Sequence, residues 1–343
     1  MDNEVTSEGA NKCPQESLGT CTPKEKKELL QKLFEARMDL EKTKSARKRR
    51  HLQEYIDGLK VDLAWTLLDC KEYEKGLALL SSVSWTTHGE MKCNGMARAL
   101  TEMGHYDEAR GLLNRGLRTY PHSYALWTAM GAIYESLGDD FESLKCIETA
   151  LRYAPEDNST GLYNKALALM RIGRPREAVP ILEGLFERYP EDPKYLSDRG
   201  VCALEMGYPQ EALQYYQKAM EIWERNPSVY TGICIYAGLC STYMELGMKR
   251  EGMEIALEGL KKFPDEDPVL YQNVGAAFWE MGWRHEAIEV LNKGIDKFPD
   301  DEELKQFLKD AEDDTEDPDG GVKPPVLGLM LFMAILQKRF RKR

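Results

Sequence analysis

Seven times between Asp57 and Pro299 the chain places two small residues at fixed distances on either side of a turn. In six copies the turn is a glycine: Gly104, Gly138, Gly173, Gly207, Gly247 and Gly282, spaced 34, 35, 34, 40 and 35 residues apart. The first copy has Lys71 at that place, 33 residues before Gly104. Seven residues before the turn stand Ala64, Ala97, Gly131, Ala166, Gly200, Cys240 and Gly275. Five residues after it stand Gly76, Ala109, Ser143, Ala178, Ala212, Gly252 and Ala287. Two antiparallel helices joined by a short turn approach closely only where their side chains are short. A period in the thirties with this pattern therefore dictates stacked helical hairpins rather than one central core.

Larger apolar residues run around the small ones at helical spacing, Trp127, Met130 and Tyr134 before one turn and Leu144, Ile147 and Leu151 after it. Each copy reads as an amphipathic helix pair with the turn glycine as helix stop. Pro121, Pro155, Pro190, Pro264 and Pro299 then close the second helices, because proline cannot continue a helix. The fifth copy is about six residues longer around 221–226, so its second helix is expected to be extended.

Segments such as Trp127-x-x-Met130-Gly131-x-x-Tyr134, and Tyr271-x-x-Val274-Gly275-x-x-Phe278 followed by Ala287, Leu291 and Pro299, resemble the tetratricopeptide repeat family. The resemblance covers about 240 of 343 residues. It implies an all-α, right-handed superhelical solenoid of about seven antiparallel helix pairs, with a leading N-terminal helix and a C-terminal capping helix. The expected division is a polar tail (1–23), a leading helix with a basic end (24–56), the array (57–299), a capping helix (300–313), an acidic Gly/Pro linker (314–325) and a short apolar segment with a basic end (326–343).

In that family the first helix of each pair lines a concave groove. By register, the resemblance places Asn94, Arg98, Glu102, Thr128, Glu135, Tyr163, Leu167, Met170, Arg171, Lys194, Ser197, Val201, Leu204, Glu205, Ser241, Met244, Glu245, Gln272, Trp279 and Glu280 on the lining. Leu167, Met170, Val201, Leu204, Met244 and Trp279 are expected to form an apolar strip. Glu102, Glu205, Glu245 and Glu280 share one repeat position, a row of carboxylates interrupted by Ser136 and Arg171. This row is either an ordinary solvated helix face or a docking wall for basic residues. Some family members hold a peptide's terminal carboxylate in a basic clamp. Asn164 and Lys194 match that clamp, but Thr128, Ala132 and Asp198 depart from it, and an acid at Asp198 would repel a carboxylate. The expected client is instead a protein or peptide segment with apolar anchors and basic neighbours.

Charge supports the same partner class. Residues 52–299 carry a net charge of −12, which disfavours nucleic acid, since phosphate binding needs a basic face. Eight cysteines form no C-x-x-C pair, and most sit in repeat helices as small apolar fillers. Cytoplasmic and reduced is the plain expectation, with no secretory leader in the polar first 23 residues. No nucleophile with a paired base, phosphate loop or metal-ligand spacing stands out. A non-enzymatic chain without cofactor or metal is expected.

The two ends carry chemistry of their own. Leu29, Leu30, Leu33, Phe34 and Met38 make an apolar stripe ahead of Lys42, Lys44, Arg47, Lys48, Arg49 and Arg50. This reads as a helix from Lys24 to about Tyr55, serving as a cover for the first repeat with a solvated basic end, or as a docking site for an acidic partner, lipid headgroups or nucleic acid. At the other end an apolar run with Leu327, Leu331, Phe332 and Leu336 precedes Lys338, Arg339, Arg341, Lys342 and Arg343. Eleven apolar residues as helix reach ~16 Å, about half a bilayer's hydrocarbon core. Three readings stay open: peripheral association with an anionic membrane surface on the cytoplasmic face, contact with a partner protein, or occupation of the chain's own groove.

Overall fold

The computed structural model describes residues 23–155 and 157–316. Among these residues there are sixteen α-helices and no strands. They are α1 (Pro23–Lys42), α2 (Ala46–Asp69), α3 (Tyr73–Ser81), α4 (Trp85–Glu102), α5 (Tyr106–Thr119), α6 (Tyr124–Ser136), α7 (Asp140–Leu151) and α8 (Ser159–Arg171), then α9 (Pro175–Arg188), α10 (Lys194–Glu205), α11 (Pro209–Arg225), α12 (Val229–Glu245), α13 (Lys249–Lys262), α14 (Val269–Glu280), α15 (Arg284–Lys297) and α16 (Glu302–Glu316). In chain order α2 to α15 make seven pairs, preceded by α1 and followed by α16.

The helices fall into two compact units. Of the described residues, the first holds 23–137 and 149–154; the second holds 138–148, 155 and 157–316, so α7 begins in one and ends in the other. In the first unit Leu33 and Ala36 of α1 pack on Ile56, Leu59, Leu63 and Leu67 of α2. Val61, Ala64 and Leu68 then join Leu80, Val83 and Ala99 in a second cluster. In the second unit α16 closes the stack by inserting Leu304, Phe307 and Ala311 against Tyr271, Val274, Val290 and Leu291.

The turns at Gly104, Gly173, Gly207, Gly247 and Gly282 are helix stops of one kind. His105 N donates to Leu100 O at 2.8 Å and Gly104 N to Thr101 O at 3.0 Å, the paired bonds of a Schellman cap. That cap needs a left-handed residue, and the six turn glycines have φ between +71° and +80°. Lys71 adopts the same conformation at φ +60°, with the same bonds from Glu72 N to Leu67 O and from Lys71 N to Leu68 O. The turn is thus made in the first copy without its glycine.

The small positions are sites of close approach. A Cβ on Gly275 would lie 2.9 Å from Leu291, and one on Gly200 2.6 Å from Tyr216. The ring of Tyr216, fully buried on α11, is also pressed against the next repeat, where a Cβ on Gly238 would come within 2.2 Å of it. The longer interval between Gly207 and Gly247 is taken up by two helices, not by one: α11 has 17 residues, against 14 in α9, α13 and α15, and α12 has 17, against 12 in α10 and α14.

Two expectations are corrected. The leading helix does not run through to Tyr55; it ends at Lys42, and Ser45 caps α2 by accepting from Lys48 N at 3.4 Å. Serine is a strong helix starter, so the basic run belongs to the first turns of α2, which continues into the first repeat. The cysteines are not all reduced fillers. Cys93, Cys146, Cys202, Cys234 and Cys240 are free and buried, whereas Cys70 is disulfide-bonded. Burial pushes the Cys93 and Cys146 thiols up to about 11 and that of Cys240 to about 12. No described helix is long and apolar enough to cross a membrane. The apolar-basic segment 326–343, including Leu327, Leu331, Phe332, Leu336, Lys338, Arg339, Arg341, Lys342 and Arg343, lies outside the described residues.

Candidate functional site

The first helices of successive pairs form a wall in each unit. In the first unit α2 meets α4 and α4 meets α6; in the second, α10 meets α12 and α12 meets α14. Residues of matching register therefore line up along each wall.

In the first unit the inward positions are mostly occupied by their own neighbours. Arg98 pairs with Asp69 at 2.9 Å and stacks over Trp65. Glu102 accepts from Tyr73 Oη at 3.2 Å, and Thr128 Oγ1 donates to Tyr124 O at 2.9 Å. Asn94 and Glu135 are half-buried on α4 and α6.

The second unit differs from the sequence expectation in depth. Tyr163 is buried, and so are Leu167, Met170, Val201 and Leu204, four of the six residues expected to form an apolar strip. Register fixes the angle at which a side chain leaves its helix, not what covers it. On α10 every residue from 195 to 204 is buried, and on α12 every residue from 232 to 242. Of the expected strip, only Met244 and Trp279 remain half-buried.

The row of carboxylates is likewise four separate environments. Glu280 pairs with Lys249 at 3.0 Å, Glu102 is held by Tyr73, and Glu245 is exposed. Glu205 is the outlier: both carboxyl oxygens are buried without a hydrogen-bond partner among the described residues. Burial pushes its carboxyl up to about 7. The cations expected nearby are engaged: Arg171 with Asp140 at 2.6 Å, and Lys194 with Asp192 at 2.5 Å and over the Tyr195 ring at 4.6 Å. Asp198 is buried and accepts from Tyr163 Oη at 2.7 Å, so an acid does stand where a carboxylate clamp needs a base.

Glu205 is not alone. Ser197 Oγ on α10, Gln272 Nε2 on α14 and both amide atoms of Asn273 on α14 are buried and have no partner among the described residues. Buried polar groups are normally paired, and leaving one unpaired costs ~1–3 kcal/mol. Ser197 and Gln272 occupy one repeat position, ten residues before their turn glycines, and Asn273 the next. Asn273 escaped the sequence reading. Its signal was there, since Asp198 and Asn164 hold its place in other repeats. Asn158, which looks like part of a glycosylation sequon, caps α8 by accepting from Gly161 N at 2.7 Å.

Tetratricopeptide repeat models match residues 163–227, 94–133 and 124–157. Among curated proteins, Protein FlbA of Caulobacter vibrioides is 29% identical over 128 residues, 36% of this chain and 21% of FlbA. The chain thus spans about a fifth of the length of the curated relative it matches. Among solved structures it is similar to a tetratricopeptide repeat protein from Parabacteroides merdae, with TM-score 0.62 and 14% identity over 75% of this chain and 98% of that one. It is also similar to the APC/C hetero-tetramer Cut9–Hcn1, with TM-score 0.56 and 18% identity over 74% and 48%. Yeast Tom70 aligns with TM-score 0.52 and 14% identity over 86% and 61%. At these identities the likeness is one of fold.

Proposed function

We propose that this chain, a tetratricopeptide repeat protein, is a non-catalytic scaffold that holds a segment of a partner protein along α10, α12 and α14 of its second unit. The reading is supported by the buried polar atoms of Ser197, Glu205, Gln272 and Asn273, which lack partners among the described residues. These atoms are closed off in the described structure, so α10, α12 and α14 must part to admit a client, and a peptide backbone then supplies what they lack. The Asn273 amide can accept from a peptide N–H and donate to a peptide carbonyl, while Gln272 Nε2 donates to another. Glu205 asks for a cation, and a lysine or arginine of the client would provide it. Met244 and Trp279 offer half-buried apolar contact. The client is therefore a segment with apolar anchors and basic neighbours.

Binding of labelled peptides to the full chain tests this, with sequences that vary basic and apolar residues independently. Asn273→Ala should weaken binding of the preferred basic-apolar peptides by about tenfold or more, from the ~1–3 kcal/mol of a buried hydrogen bond. Equal affinity in Asn273→Ala, or a preference for acidic peptides, would sink the reading.

A second contact rests on sequence alone. The apolar-basic segment 326–343 would hold the scaffold on an anionic membrane surface, or would compete for its own client site. Flotation with anionic vesicles compares the full chain with the double substitution Leu331→Asp, Phe332→Asp. Loss of flotation supports a tether. A gain in peptide affinity without any flotation supports the competitor.

A further inference from the structure

Helix α1 carries two apolar faces. One, through Leu33 and Ala36, is spent on α2. The other is open: Leu30, Phe34 and Met38 recur at four-residue steps and are 49%, 61% and 37% exposed. Such spacing brings them into one line along the helix. A helix in water that keeps an aligned Leu-Phe-Met edge uncovered presents a docking surface.

The residues bordering that edge show what fits it. On a helical wheel centred on Phe34, Lys27 and Glu41 lie at 20° to either side, Leu30 and Met38 at about 40°, and Gln31 and Arg37 at about 60°. Lys27, Arg37 and Glu41 are all exposed. The pattern is symmetric in position and opposite in charge about one residue. An antiparallel copy of the same helix, related by a two-fold axis at Phe34, sets Phe34 on Phe34, Leu30 beside Met38, and Lys27 level with Glu41 twice over. A parallel copy would set Lys27 on Lys27 and Glu41 on Glu41. Self-complementarity of this kind is what an isologous interface requires.

We propose that α1 pairs with α1 of a second copy of this chain, antiparallel about Phe34, to form a two-fold dimer. One helix pair with three apolar residues from each copy falls below the roughly 1,200 Å² of a stable interface, so the association is weak and reversible. Its dissociation constant is expected on the order of tens of micromolar, and the two Lys27–Glu41 contacts make it weaken with salt.

Sedimentation of the full chain from about 1 to 300 μM is the test. The wild type should pass from monomer to dimer over that range. Phe34→Glu, at an exposed site that leaves the α1–α2 core intact, should stay monomeric throughout with unchanged helicity. Lys27→Glu alone and Glu41→Lys alone should each weaken the dimer at least several-fold. The combined Lys27→Glu, Glu41→Lys variant should restore it, because only the antiparallel pairing brings those two residues together. A wild type that is monomeric at 300 μM overturns the proposal. So does a dimer that survives Phe34→Glu, or charge-swapped variants whose effects add instead of cancelling.

Discussion

Replacing Glu205 by glutamine isolates the energy of a carboxyl held in a dry place. Burial raises its native pKa to about 7 from the 4.5 of an exposed glutamate. A carboxyl with a raised native pKa holds its proton more tightly in the folded chain than in the unfolded one. Its protonated form therefore favours folding fully below about pH 4.5. That contribution fades as pH rises from 4.5 to 7, and above 7 the fold carries a buried charge. With ~1.4 kcal/mol per pH unit, the span amounts to about 3 kcal/mol. Glutamine does not titrate. The stability difference between wild type and Glu205→Gln should therefore shift by about 3 kcal/mol in the variant's favour between pH 4 and pH 8. Other carboxylates titrate in the same range, but they do so equally in both proteins and cancel. Because repeat arrays open in parts, the readout should be local: hydrogen exchange of the α10 amides, variant against wild type at each pH. A difference that stays constant from pH 4 to pH 8 would refute the argument. The same linkage bears on the client, since a basic residue docked on Glu205 pulls its pKa down and releases a proton. Peptide affinity should then drop as pH falls below about 7.

Two glycines predict opposite outcomes for one substitution. Gly238→Ala drives a Cβ to 2.2 Å from a Tyr216 ring that Gly200 blocks on its other side, so it should destabilise by ~1–3 kcal/mol in urea titrations. Gly184→Ala, in α9 with nothing within 4 Å of the new Cβ, should stabilise by ~0.5–1 kcal/mol; equal effects at the two sites would contradict the close-approach account. Lys71→Gly removes a left-handed lysine worth ~1–2 kcal/mol of strain, less the ~0.4–1 kcal/mol of added freedom in the unfolded chain. Amides of α2 and α3 should exchange more slowly in that variant, and faster exchange would show that Lys71 is not strained.

What the sequence disclosed follows from hard sterics. A left-handed turn favours glycine, as at Gly104 and its counterparts, and a ring such as that of Tyr216 fits only where Gly200 and Gly238 have no side chain. These demands act within a few residues, so they appear as spacing. The seat of Lys71 was legible for the same reason. The break at Ser45 was missed because apolar and basic residues continue helical spacing across it, while a single side-chain cap decides where one helix ends and the next begins. The wall of the second unit was misjudged in another way. Leu167, Val201 and Leu204 stand at the register positions expected of a lining, yet their burial depends on how the adjacent helices pack over them. The polar residues at that depth, Ser197, Glu205, Gln272 and Asn273, look like surface residues in the sequence, and only packing reveals that they are enclosed.

The buried thiols make the chain its own recorder of partial opening. Cys93, Cys146, Cys202 and Cys240 sit in α4, α7, α10 and α12. Burial keeps each one protonated at neutral pH. A thiol reagent must wait until the surrounding helix lets go, so each alkylation rate is a stopwatch for one stretch of the molecule. Read side by side, those clocks tell whether the stack frays stepwise from an end or parts first somewhere in its middle.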